Sequence, residues 1–188
     1  MKKLLVVLAT LLVLLVGCGQ DNKKPAEPVT ISTIETFPVD MSKYHNMSST
    51  NHQFLGITPE TFLDFLSNGG NGIVYVGYDS CPICNKAVPV INEVAQELGV
   101  KVFYIDCYHP VYPLMDHFDE FVAATRPILE VKDGEPVVLT PHVMTVVNGE
   151  FVDSQIGIID QLDPEASEQD HEKVKASYMD MMDYFKVD

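Results

Sequence analysis

Two cysteines stand three positions apart in Cys81-Pro82-Ile83-Cys84. Such a pair can alternate between two thiols and one disulfide. The loop it encloses is too short to constrain an unfolded chain much, so the spacing suits redox chemistry better than a structural staple. Disulfide exchange proceeds through a thiolate, and an ordinary cysteine, with a pKa of about 8.5, is mostly protonated at neutral pH. The chemistry therefore needs a place that favours the anion. A helix N-terminus is such a place, because its first N–H groups are unpaired and its dipole is positive there. Pro82 suits a first helical turn, where no N–H is required. Cys81 is then expected at the cap as the nucleophile. Cys84 would lie on the same side but deeper, placed to resolve a mixed disulfide. Ile83 brings neither charge nor donor, so nothing nearby in sequence argues for an extreme acidity of Cys81.

The surrounding elements must hold that turn. Residues 73–78 form a continuous apolar and aromatic run, as expected for a strand buried on both faces. From Pro82 the pattern turns helical, with Ile83, Ala87, Val90, Ile91, Val94, Ala95 and Leu98 on one side and Gly99 as the stop. Residues 100–105 read as the next buried strand, so the unit is βαβ and its strands should be parallel neighbours. Upstream, residues 29–34 alternate weakly and are read as a first strand, and 35–56 as irregular. Thr58-Pro59-Glu60 opens a helix with Phe62, Phe65 and Leu66 on its apolar face. Downstream, residues 113–125 read as a helix and Asp133-Gly134 as a hairpin tip. Thr140-Pro141 precedes a β-rich run, 142–147, which Asn148-Gly149 should fold back onto 151–156. Asp163-Pro164-Glu165 is read as the opening of a last helix with an apolar stripe of Val174, Tyr178, Met181, Met182 and Phe185.

Strand, CPIC, helix, strand, helix, Thr-Pro, hairpin, helix: in this order the chain resembles the thioredoxin fold, from about residue 55 to 186. The resemblance implies an α/β domain with a central mixed β-sheet flanked by helices, and the activity of a thiol–disulfide oxidoreductase. It implies a cis bond at Pro141, which would set the backbone of Thr140 beside the sulfurs to pair with an extended substrate. The stretch from Tyr75 to Cys84 further resembles thioredoxin-like proteins of the bacteriocin-transport accessory type. Two departures matter. Thioredoxins proper keep a buried aspartate where this chain has Tyr75, and its lysine partner falls at Val102. Ser80 replaces the usual tryptophan, and the chain contains no tryptophan at all. These losses argue against an efficient general reductase but leave the dithiol intact, with Tyr75 as a possible proton relay or simply a core residue.

Cys107 and His109 follow the second strand of the βαβ unit, whose C-terminal end shares a sheet edge with the dithiol. One alternative function is therefore metal binding by Cys81, Cys84, Cys107 and His109, a ligand set suited to zinc or copper(I). Another is a non-catalytic module with a structural Cys81–Cys84 bond. The plainer reading makes Cys107 a small buried hydrophobe. No cofactor and no resident metal are expected. His142, beside Pro141, is read as a surface or site-rim residue.

The N-terminus supplies the compartment. Lys2 and Lys3 precede an apolar run over residues 4–16, too short at about 1.5 Å per residue for a bilayer core. It suits a secretory signal. Leu15-Val16-Gly17-Cys18 resembles a bacterial lipobox, which implies cleavage after residue 17 and lipidation of Cys18. The expected layout is a lipoprotein signal over 1–17, a lipidated Cys18 and flexible tether over 18–36, and a single domain over 37–188. Without Lys2 and Lys3 the 12 basic side chains become 10 against 27 acidic ones, a formal charge of −17. Such a surface excludes nucleic-acid binding. The expected location is the cell membrane, lipid-anchored on its extracytoplasmic face. Partners would be exported proteins or peptides with cysteines, a membrane redox partner, and the membrane itself through Cys18.

Overall fold

The computed structural model describes residues 34–186; the signal segment, Cys18 and the start of the tether lie outside them. Seven strands and four α-helices are described. They are β1 (Phe54–Gly56), α1 (Pro59–Ser67), β2 (Gly72–Gly77), α2 (Pro82–Leu98), β3 (Val102–Asp106), α3 (Phe118–Thr125), β4 (Glu130–Lys132), β5 (Glu135–Val137), β6 (His142–Val147), β7 (Glu150–Ile156) and α4 (Glu168–Met182). The main sheet has the order β1-β3-β2-β6-β7. β2 and β3 run parallel, with Tyr75 opposite Tyr104, and β6 is antiparallel to β2 and β7. β4 and β5 make a separate hairpin around Asp133-Gly134. The sheet is therefore mixed, with an apolar layer on each face.

Those two layers follow from strand alternation. Ile73, Tyr75, Val102, Tyr104 and Val143 face α2 and α4, together with Val90, Val94, Val174 and Met182. Val74, Val76, Phe103, Ile105, Met144 and Val146 face α1 and α3, meeting Phe62, Phe65 and Phe121. β2 is buried at all six positions, which is why its sequence shows no polar alternation. Thr58 caps α1 by accepting from the Thr61 amide at 3.0 Å. Gly149, at φ +78°, comes so close to the Leu66 carbonyl that a Cβ there would sit 2.1 Å from it. That approach locks the β6–β7 turn onto the end of α1.

Three expectations need correction. The sheet's edge strand β1 lies in the segment read as irregular; three residues carry no periodic signal, and register against β3 defines it. Residues preceding it also join the core: Phe37 exchanges both backbone hydrogen bonds with Gly56, at 2.9 and 2.8 Å, and Met41 and Tyr44 are buried. The helix expected over 113–125 begins as a 3-10 turn, Leu114–His117, and His117 breaks from helical geometry before α3. The last helix begins at Glu168, capped by Ser167, not at Asp163. Asp163 is held instead by a local turn and by an ion pair with Lys86 of α2. Among the described residues no helix is long and apolar enough to cross a membrane.

Candidate active site

β2 ends at Gly77, and three residues later the chain starts α2 with Cys81 at its cap. The Cys81 amide donates to the Tyr78 carbonyl at 3.2 Å, closing the turn. Asn85, one turn into α2, pins it from the side: its amide donates to the Asp79 carbonyl and, at 3.0 Å, to that of Cys81. Its oxygen accepts from the His45 amide at 2.8 Å. This role was not legible beforehand, because a polar residue on the outer side of a helix reads as solvated surface.

The cap hydrogen bond is made by sulfur. The Cys84 amide donates to Cys81 Sγ at 3.1 Å, so the first turn of α2 presents an N–H directly to that atom. Across the groove, the Thr140–Pro141 peptide is cis. The Thr140 hydroxyl approaches Cys81 Sγ at 3.7 Å and the Thr140 carbonyl lies 3.9 Å from it. Cys81, Cys84 and Cys107 are all free thiols.

Cys81 as a whole is only 4% exposed, yet it is not sealed. It lines an open groove of about 500 Å³ with Tyr78, Ile83, Cys107, Tyr108 and Met115. The rim of this groove is apolar and uncovered: Ile83 is 49% exposed, Tyr108 67%, Met115 64% and Leu139 40%. Large apolar side chains gathered in this way mark a contact surface. Cys84 is fully buried. Burial, and next its hydrogen bond to Cys81, push its thiol up to about 11. The two sulfurs thus differ in kind, one on a groove and one in the core.

Tyr75 lies beneath them, fully buried, with its ring stacked on Tyr104 at 5.3 Å between centroids. Its hydroxyl donates to the Tyr44 hydroxyl at 3.5 Å. Gly77 makes this possible, because a Cβ there would fall 2.0 Å from the Tyr75 oxygen. Val102 is buried opposite Ile73 and carries no polar partner for Tyr75.

Cys107 does share the groove with Cys81, and burial, aided by Asp106, pushes its thiol up to about 12. His109 does not join them. Its Nδ1 accepts from the amides of Val111 and Tyr112 at 3.2 and 3.0 Å, and its ring stacks on Tyr112. It faces a second, smaller groove of about 220 Å³ with Lys43, Tyr44, Tyr104 and Asp106. Among the described residues no three His, Cys, Asp or Glu side chains gather where a metal could be held. The four-ligand set of Cys81, Cys84, Cys107 and His109 is therefore not assembled. His142, expected near the surface, is completely buried on β6, and neither ring nitrogen has a hydrogen-bond partner. Burial holds its pKa down, to about 4.

A central mixed sheet in this strand order, flanked by helices, with a dithiol opening the helix after β2 and a cis-proline entering β6, is a thioredoxin-like α/β fold. No family model matches the chain. Similar solved structures include thioredoxin O2 from Arabidopsis thaliana, at 16% identity and a TM-score of 0.42, covering 59% of this chain and 88% of that one. A mutant thioredoxin from Halobacterium salinarum is 15% identical with a TM-score of 0.43, over 72% and 92% of the two chains. Thioredoxin from Aeropyrum pernix is 17% identical with a TM-score of 0.41, over 79% and 97%.

Proposed function

We propose that the protein is a thiol–disulfide oxidoreductase acting on exported proteins, tethered by a lipid on Cys18 to the extracytoplasmic face of a cell membrane. One observation carries the catalytic part: Cys81 Sγ receives the Cys84 amide at 3.1 Å and looks across an open apolar groove at the cis Thr140–Pro141 peptide. An extended substrate lying against Thr140 would bring a disulfide sulfur to Cys81. Attack breaks that disulfide and leaves a mixed disulfide on Cys81. Cys84 then attacks Cys81 Sγ, releasing the second substrate thiol and closing the Cys81–Cys84 bond. Run backwards, the same steps oxidise a substrate dithiol. The apolar rim of Ile83, Tyr108, Met115 and Leu139 favours substrates whose cysteines lie among hydrophobic residues.

Thiol trapping tests this reading. A Cys84→Ala variant, expressed in its native compartment, should accumulate reducible adducts with other proteins. Adding Cys81→Ala should abolish them. A clean unadducted band from Cys84→Ala refutes the enzyme. A purified protein with a dithiol potential near or below about −300 mV and no exchange with glutathione would show a structural disulfide instead. The anchor is tested separately: Cys18→Ser should release the protein from the membrane fraction.

A further inference from the structure

Asn85 commits every polar atom of its side chain to the turn that carries Cys81. An amide side chain has a nitrogen that donates and an oxygen that accepts. The nitrogen serves the Asp79 carbonyl and, at 3.0 Å, the Cys81 carbonyl. The oxygen accepts from the His45 amide at 2.8 Å. That last bond settles which way round the amide lies. Turned over, it would set its oxygen against two carbonyls and its nitrogen against an N–H, and every contact would be repulsive.

The residues held in this way are those that the regular elements do not hold. Asp79 and Ser80 lie between β2 and α2, so the ladder bonds of neither element reach them. Cys81 caps α2 in extended geometry, with ψ at 118°. Its carbonyl receives the Asn85 backbone amide at 3.0 Å as well as the Asn85 side chain. Asn85 thus grips the Cys81 peptide twice and the Asp79 peptide once. With the carbonyl so fixed, little but the Cα–Cβ torsion is left to carry Sγ away from the Cys84 amide, which it meets at 3.1 Å.

The bond that orients Asn85 comes from outside the sheet. His45 lies in the segment that precedes β1, next to the buried Tyr44. Lys43 of the same segment pairs with Asp79 at 3.4 Å, but both side chains are exposed, and such a pair holds little. The His45 amide is the stronger link. We propose that Asn85 is a positioning residue for Cys81: its amide, oriented by the His45 N–H, aims Cys81 Sγ at the Cys84 amide and at Thr140, and so sets the rate of disulfide attack. This rests on the exchange reading above and adds to it a segment outside the sheet that governs the nucleophile.

The test uses the full-length chain carrying Cys18→Ser and Cys107→Ala, which leaves only the site's two thiols. Mixed with dithiobis(nitrobenzoic acid), it should release nitrothiobenzoate in two phases. In the first, the Cys81 thiolate breaks the reagent's disulfide, forms a mixed disulfide and frees one nitrothiobenzoate. In the second, Cys84 closes the Cys81–Cys84 bond and frees the other. Asn85→Ala should slow the first phase by roughly 10-fold, less than the whole worth of a hydrogen bond to a charged atom, because the turn keeps its backbone bonds. His45→Pro removes the orienting N–H. The Met47 amide donates to the Tyr44 carbonyl at 3.2 Å and Asn46 has φ +58°, so position 45 is one that proline favours in such a turn. This variant should slow the same phase by roughly 3-fold, the loss of one neutral hydrogen bond. The two changes together should be no slower than Asn85→Ala alone, because both act through one amide. Asn92, about 10 Å further along α2, accepts from the Gln53 amide at 2.9 Å and ties the same helix to a neighbouring loop. Asn92→Ala should lower stability by a similar amount and leave the first phase unchanged. A parental first phase in folded Asn85→Ala overturns the positioning role and leaves the exchange reading standing. So does a first phase slowed equally by Asn92→Ala, and so do effects of Asn85→Ala and His45→Pro that multiply. Absence of the first phase in the parent chain overturns the exchange reading itself, and the positioning role with it.

Discussion

His142 should make the protein acid-labile in a way that a single substitution removes. Its imidazole sits on β6 between Val76 and Ile156, fully buried, with both ring nitrogens unpartnered. Burial alone lowers its pKa from 6.5 to about 4. The folded protein therefore keeps the ring neutral between those values, while the unfolded chain takes up a proton below 6.5. Stability is complete above that pH and is lost as pH falls towards 4. A gap of about 2.5 units, at about 1.4 kcal/mol each, sets a full loss of about 3 kcal/mol, of which about 2.5 kcal/mol should have gone by pH 4.5. His142→Leu fills nearly the same volume with no polar atoms. It should gain about 1–3 kcal/mol at pH 7.5 from removing the unpaired groups. It should also lack the acid-dependent loss. Urea melts of both proteins at pH 7.5 and 4.5 give four stabilities, and the double difference cancels the carboxylates common to both. A double difference near zero would refute the reasoning, because it would mean that the ring is protonated or partnered inside the fold.

Other expectations follow from single contacts. Gly77→Ala would drive a methyl into the Tyr75 hydroxyl, so it should cost about 1–3 kcal/mol by thermal or urea unfolding and disturb exchange without touching either cysteine. Gly149→Ala meets both a left-handed backbone at φ +78° and the Leu66 carbonyl, and should lower stability by about 2 kcal/mol or more in the same assay. Limited alkylation of the reduced protein, mapped by peptide mass, should label Cys81 first, since Cys84 and Cys107 are held protonated by burial. Zinc titration of the reduced protein should leave no stoichiometric metal after gel filtration, because His109 is turned into its own loop.

Where the sequence was legible, local signals and tertiary demands agreed. The all-buried β2, the Cys81 cap, the Asn148-Gly149 turn and the Thr58 cap each follow from residue types within a few positions of one another. What stayed hidden depended on distance. β1 is defined by its register with β3, and the segment that brings Tyr44 into the core is tied by Phe37 to Gly56 and by the His45 amide to Asn85. Asp163 looked like a cap but is claimed by Lys86, 77 residues away, and Ser167 caps α4 in its place. His142 looked like surface by residue type, and its burial is set by the strands on both sides of it. At the site, sequence located the two cysteines and Thr140-Pro141. It could not show that Asn85 fastens the turn, nor that the Tyr75 hydroxyl continues through Tyr44 and Tyr104.

A tyrosine, not an acid, lies beneath the dithiol, and this sets the electrostatics of the core. A buried carboxylate must either be neutralised or bear a large desolvation cost, and its titration would gate any proton it handles. Burial raises the pKa of Tyr75, Tyr44 and Tyr104, so all three stay neutral wherever the fold survives. They add no charge to the core. Asp106 lines the groove that Tyr44 and Tyr104 also line, half-buried and with its pKa raised by that burial. Charge is thereby kept out of the core, and the acid stands where solvent reaches it. An uncharged tyrosine on β2 needs no counter-ion from β3, and Val102 completes the apolar layer.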